Sequence, residues 1–200
     1  YNAVQQLNSR IEGTLRIATS ASRSTPIVQQ YLPAFSMKYP SVHFEIYEGL
    51  MTNVVTQLIN GSAELGIANI QMVDIDKFDI LLTQEEHLYA IFRRDVFWTD
   101  REHDTITWED IKKCPLSLSG GSVRMIMQSS LTDMEQLNAV AITTTKSSAI
   151  EWASSGRTVS LVPMDAKELI NHRKMARIKL PEFSGDFKKA FITLKGRSEE

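Results

Sequence analysis

The sequence predicts an α/β fold in two lobes joined by crossing strands, and three observations predict it. From residue 14 onward, apolar runs of strand length alternate with segments of helical spacing. A longer apolar run, Ile80 to Phe92, has no helical spacing and reads as an extended strand that leaves one sheet and enters another. After about residue 88 the strand–helix alternation restarts, with no fixed-period repeat and no low-complexity linker between the halves.

In the first half, Leu15, Ile17 and Ala18 mark a buried strand over Thr14–Thr19. Ser24 or Thr25 before Pro26 is a helix-start signal, because proline tolerates a first helical position whose N–H has no partner. Ile27, Tyr31, Leu32, Phe35 and Tyr39 then recur at helical spacing up to Pro40. Val42, Phe44 and Ile46 alternate with His43, Glu45 and Tyr47 as in a strand. Met51, Val54, Val55, Leu58 and Ile59 form the apolar stripe of a second helix that Asn60-Gly61 ends, and Leu65 to Asn69 is a third strand. This β-α-β-α-β order demands right-handed crossovers and a parallel sheet.

In the second half, Thr107-Trp108-Glu109-Asp110 matches a capping box and opens a short helix ending near Lys113. Pro115–Ser119 is a strand, and Val123, Ile126, Met127 and Leu131 mark a helix. Ala139–Thr144 is a strand; Ala149, Ile150, Trp152 and Ala153 mark a helix; Thr158–Val162 is a strand closed by Pro163.

Composition narrows the function. At 200 residues, 42% hydrophobic and 23% charged, the chain sits near soluble-globular averages, which excludes disorder, collagen-like structure and a disulfide scaffold. Lysine plus arginine number 22 against 24 acids, a net charge of −2. Without a basic excess, these residues are not expected to grip nucleic acid themselves. The one cysteine, Cys114, is too few for a disulfide or a cysteine zinc site and reads as a small buried hydrophobe in a reducing compartment. No stretch approaches the ~18 apolar residues of a membrane span. Tyr1–Gly13 lacks a signal-peptide core and reads as the tail of a polar helix, so the chain is read as a fragment of something longer.

Catalytic signatures are absent: no nucleophile elbow, phosphate loop, zincin motif or dinucleotide fingerprint occurs. The histidines (His43, His87, His103 and His172) have no ligand partners at helical or hairpin spacing, so no metal is expected. Glu85-Glu86 reads as a solvated hinge, since adjacent strand residues face opposite ways. The cluster His172, Arg173, Lys174, Arg177 and Lys179 reads as an exposed basic face. The methionines read mostly as core filler, with Met51 also a candidate for a subunit interface.

One pattern rises above this background. Three strand-to-helix junctions are crowded with hydroxyls: Thr19–Thr25, Ser117–Arg124 and Thr143–Ser148. In open α/β sheets ligands bind outside the carboxyl ends of the strands, where helix N-termini offer free N–H donors and a partial charge of ~+0.5. Arg23, Arg124 and Lys146, one near each junction, would favour an anion. Serine and threonine are also the preferred helix N-caps, so one such junction would signify only a cap; three, from two lobes, point to a ligand cleft.

These residues carry a family resemblance. Gly13-Thr14-Leu15-Arg16-Ile17-Ala18, Leu32-Pro33-Ala34-Phe35 and Lys38-Tyr39-Pro40 resemble the start of the effector-binding (substrate-binding) domain of LysR-type transcriptional regulators. Leu58-Ile59-Asn60-Gly61 before Glu64-Leu65-Gly66-Ile67-Ala68 is similar to that family's next motif, with Glu64 where aspartate is usual. Trp108-Glu109-Asp110-Ile111 with Cys114-Pro115-Leu116 resembles its second-lobe entry. Ala153 to Pro163 resembles a late motif in which Arg157-Thr158 replaces the usual residue-Gly pair.

The resemblance implies two Rossmann-like lobes of the type 2 periplasmic-binding-protein kind, with residues 1–11 ending a linker helix, 12–87 forming lobe I and 88–200 lobe II, and a final return to lobe I left open. It implies a small effector between the lobes, and the hydroxyls with cations at the junctions suggest a polar or anionic one, a carboxylate or other small anion being favoured. Contacts are expected at Ser20, Ser22, Arg23, Ser119, Ser122, Thr145 and Ser147, the same three junctions. It further implies a cytoplasmic, non-enzymatic domain without cofactor, a homodimer or homotetramer with Met51–Ile59 near the Ala149–Trp152 helix of a partner, and DNA contact only through a winged-helix domain outside these residues. Two rivals stay open: a transport-linked solute receptor of the same fold, and a cleft enzyme, for which the junctions lack a convincing general acid or base.

Overall fold

The structure is a computed structural model that describes residues 11–21, 31–102, 105–166, 168, 170, 174–183 and 187–196. They pack as two compact units: those up to Gln84 together with those from Lys188 onward, and Glu85–Phe187.

The first unit contains β1 (Gly13–Ser20), α1 (Leu32–Lys38), β2 (Val42–Gly49), α2 (Met51–Ile59), β3 (Leu65–Asn69) and β4 (Phe78–Glu85). The second contains β5 (His87–Arg93), α3 (Trp108–Ile111), β6 (Leu116–Ser119), α4 (Gly120–Ser129), β7 (Ala139–Thr143), α5 (Lys146–Ser154), β8 (Val159–Met164) and β9 (Met175–Lys179). The last strand, β10 (Lys188–Leu194), lies in the first unit's sheet.

The two sheets repeat one plan. The first has the order β2-β1-β3-β10-β4 and the second β7-β6-β8-β5-β9. In each, three strands run parallel, as the alternating elements require: β1 beside β2 and β3, and β6 beside β7 and β8. The fourth position goes to the strand on which the chain enters that unit. β10 runs antiparallel to β3 with Phe191 opposite Ile67, and β5 runs antiparallel to β8 with Ala90 opposite Leu161. The expected two-lobed α/β class is the one observed.

Helix α2 buries Val54 and Leu58 against Ala18, Ala68, Ala190 and Ile192. It ends where Gly61 takes a φ of +79°, a conformation without penalty for glycine. Gly66 lets the helix lie close to the sheet, since a Cβ there would stand 2.5 Å from Leu58 Cδ1. In the second unit the larger core gathers Leu88, Phe92, Trp108, Leu116, Leu118 and Ile126. Thr107 and Asp110 form the expected capping box of α3.

Several expectations change. The helix-start signal at Ser24–Pro26 lies outside the described residues. The helix marked by Val123 and Ile126 stops at Ser129 before a left-handed Ser130, so Leu131 lies beyond it, and the side turned inward carries Ser122, Met125 and Ile126 while Met127 is 66% exposed. Strand β8 does not close at Pro163 but runs through it. Its pairing with β6 ends at Leu161, so only β5 flanks the proline, which lacks a ladder donor. Glu86 is buried, not solvated, in the one-residue break between β4 and β5, where its N–H donates to Phe187 O at 2.8 Å. The described members of the basic cluster do not share one role: Arg177 lies over the Tyr89 ring and donates to Ala166 O, and Lys174 faces Asp95 at 3.5 Å.

Candidate functional site

The junction after β6 is built by reciprocal capping. Ser119, the last residue of β6, accepts from Ser122 N at 3.2 Å, while Ser119 N donates to Ser122 Oγ at 2.8 Å. Ser122 Oγ also donates to Ser119 O at 2.7 Å. Both serines are buried. The Ser122 hydroxyl is thus occupied within its own helix end, and what this junction still offers is the first-turn N–H donors of α4. Gly121 fits there because a Cβ would stand 2.7 Å from Pro163 Cγ.

The junction before α5 is similar. Thr145 caps the helix by accepting from Ser148 N at 3.2 Å, and its hydroxyl donates to Ser148 Oγ at 2.9 Å. Thr143 Oγ1 donates to Thr145 O at 2.7 Å and holds the turn. Ser147 is exposed and takes no part in the cap. Beneath this helix, Thr158 Oγ1 donates to Ser117 Oγ, which donates to Ala149 O, both at 2.9 Å.

The junction after β1 differs. Ser20 ends the strand opposite Gly49 of β2, and its Oγ is buried with no hydrogen-bond partner. Among the described residues only Gln57 Oε1 and Ser160 Oγ share that condition. Ser22 and Arg23 lie outside the described residues.

The expected cations do not behave alike. Arg124 is exposed on α4. Lys146 is buried, forms an ion pair with the buried Glu168, and donates to Pro163 O at 3.3 Å. Its charge is therefore compensated inside the unit. Glu168 is the residue that sequence reasoning missed, and nothing in the spacing of the two marks them as partners.

Other candidates resolve into structure. Cys114 is half-buried against the second core and faces Asp110 O at 3.6 Å; burial pushes its thiol pKa up, away from the reactive thiolate. No cluster of three histidine, cysteine, aspartate or glutamate side chains among the described residues is arranged to hold a metal. No helix among the described residues is long and apolar enough to cross a membrane. Glu64 ties the segment before β3 to β1, accepting from Arg16 N at 2.8 Å and from Arg16 Nη1 at 3.1 Å, while Arg16 Nε reaches Glu45 at 3.0 Å.

The comparisons agree with this architecture. The model of the LysR substrate binding domain matches residues 8–200. No curated protein matches the chain. Among solved structures, a protein from Vibrio parahaemolyticus described as a transcriptional regulator is similar at 19% identity over 92% of this chain and 87% of that one, with a TM-score of 0.73. The reduced regulatory domain of OxyR2 from Vibrio vulnificus is similar at 14% identity over 94% of this chain and 89% of that one, with a TM-score of 0.70. The effector binding domain of QuiR in complex with shikimate is similar at 12% identity over 94% of this chain and 90% of that one, with a TM-score of 0.68. At such identities the structures speak for the shared fold, that of the type 2 periplasmic-binding-protein class. The family match spans both units, and the chain belongs to the LysR substrate-binding domain family, the effector-binding part of LysR-type transcriptional regulators.

Proposed function

We propose that this chain senses a small polar or anionic effector for a cytoplasmic transcriptional regulator and catalyses no reaction. The observation that carries the reading is the Ser20 hydroxyl, buried yet unpartnered at the carboxyl end of a parallel strand, where α/β sheets take their ligands. A buried hydroxyl without a partner costs roughly 1–3 kcal/mol, a cost that a hydrogen-bonding ligand removes. Of the expected contacts in the second unit, exposed Ser147 and the first-turn donors beside Ser119 and Thr145 are the groups that the caps leave to a ligand, while Ser122 serves its own cap. Ser22 and Arg23 complete the set implied by the family. The shikimate bound to QuiR is a carboxylate, in keeping with a small acid. Because Lys146 is already paired, the positive potential at these junctions comes from helix N-termini and from arginine.

The assembly we propose is a homodimer or homotetramer, with DNA contacted by a separate winged-helix domain, as the net charge of −2 suggests. Leu50 and Ile59, flanking the buried stripe of α2, are exposed, as are Val140 and Ile142 of β7 and Trp152 of α5. These residues would line the α2-to-α5 contact between subunits. An effector with different affinity for two conformations would then shift subunit geometry and so transcription.

A thermal-shift titration with shikimate, other small carboxylates, amino acids and sulfate tests the sensing role. A ligand at ~100 times its Kd stabilises by ~2.7 kcal/mol, a shift of several degrees. The expected result is a saturable shift that Ser20→Leu abolishes while the protein stays folded. A shift that survives Ser20→Leu, or none across the panel, overturns the reading.

A further inference from the structure

We propose that one buried water molecule, bound between Ser160 Oγ of β8 and Ser117 Oγ of β6, completes the hydrogen bonding that fastens α5 to the second sheet. The strands fix which side the two hydroxyls face. Leu116, Leu118, Val159 and Leu161 belong to the larger core on one side of that sheet. Ile91 and Val162 pack with Ala149 and Ala153 of α5 on the other. Side chains alternate along a strand, so Ser117 and Ser160 lie on the α5 side. They are direct neighbours in the parallel ladder, and Ile91 of β5 flanks Ser160 on its other side. Both serines are 0% exposed, as is Thr158.

A count of protons identifies the chemistry that this place requires. Thr158 donates its hydroxyl proton to Ser117 Oγ, and Ser117 donates its own to Ala149 O, each at 2.9 Å. A hydroxyl has one proton to donate and two lone pairs that accept. Thr158 and Ser117 have therefore committed their protons, while Ser117 keeps one lone pair. Ser160 Oγ is buried with no hydrogen-bond partner, so its proton is still to be placed. The bridging species must accept from Ser160 and donate to Ser117. A metal or ammonium ion has no lone pair with which to accept, and a carboxylate or halide has no proton to donate. Water does both.

The spacing suits the same species. Neighbouring strands stand ~4.8 Å apart. Two O–H···O bonds of ~2.8 Å that meet at a water oxygen span roughly 4.5 Å. The helix residues over this part of the sheet, Ala149 and Ala153, are as small as the serines below them. A buried hydroxyl that makes no hydrogen bond is costly, and internal waters bind where buried polar groups lack partners. Ser160 differs here from Ser20. It lies on a central strand between β5 and β6, under a helix, whereas Ser20 ends its strand.

High-resolution crystallography of this chain, with Ser160→Val beside it, tests the site. The expected result is a density peak within ~2.6–3.2 Å of both Ser160 Oγ and Ser117 Oγ. It should be absent from Ser160→Val, whose added methyl takes its place. In solution, the Ala149 and Ala153 methyls should show cross-relaxation to a long-lived water that the same variant loses. Ser160→Ala removes the anchor without adding bulk and should raise the unfolding equilibrium constant about fivefold. Circular dichroism confirms that each variant is folded. A Ser160 hydroxyl that donates directly to a protein oxygen with no peak beside it overturns the proposal. So does a peak that persists in Ser160→Val, or a Ser160→Ala protein as stable as the parent or more so, the outcome for a hydroxyl that binds nothing.

Discussion

Lys146 and Glu168 form an ion pair sealed inside the second unit, with side-chain exposures of 5% and 7%, and Lys146 also donates to Pro163 O at 3.3 Å. Each charge is tolerable there because of the other, since an unpaired buried charge loses its hydration without compensation. Removing one partner of such a pair costs ~3–5 kcal/mol. Glu168→Gln or Lys146→Met should therefore lower the urea unfolding free energy by ~3 kcal/mol or more. The double change to Met and Leu should cost less than either single change.

The cap hydroxyls and the exposed one should separate in a stability measurement. Ser119→Ala leaves Ser122 N without its acceptor and should cost ~1 kcal/mol, and Thr145→Ala should cost a similar amount at α5. Ser147→Ala touches no cap and should leave the denaturant midpoint unchanged. If Ser147 binds effector, its loss appears only in the ligand titration.

Gly66→Ala should destabilise the first unit by ~1–3 kcal/mol, because the new methyl would stand 2.5 Å from Leu58 Cδ1 and 3.1 Å from Ile192 Cγ1. Leu58→Ala opens space for that methyl. The double variant should therefore lose less than the sum of the two single losses, which a double-mutant cycle measures.

The Asp110 carboxyl is pulled down to about 2 by the Arg101 guanidinium 3.1 Å away, then by the Thr107 N–H and hydroxyl at 3.0 and 2.9 Å. A carboxyl with a lowered folded-state pKa binds its proton more readily in the unfolded chain. Its contribution is fully present above the ordinary value of 3.8 and is lost as pH falls through about 2. Asp110→Asn should flatten the fall in stability between about pH 4 and pH 2, as read from unfolding midpoints across that window.

Much of this molecule is local and so can be read along the chain. Ile17-Ala18, the Val42/Phe44/Ile46 alternation and the Val54/Leu58 stripe state their periods within a few residues, and the β-α-β-α-β order alone requires parallel strands in both sheets. The capping box at Thr107 and Asp110 and the turn at Asn60-Gly61 are likewise set by neighbours in sequence. That three junctions carry hydroxyls was visible; which hydroxyls are occupied was not. Ser122 belongs to its cap and Ser20 has no partner because of geometry fixed only when strand, helix and turn meet. The burial of Lys146 against Glu168, the burial of Glu86 in a break between strands, and the pairing of β10 with β3 all join residues whose relation no local period expresses. Periodicity reports which face of an element is apolar. Charge compensation and strand order depend on what lies across the space between elements, and only the tertiary structure decides that.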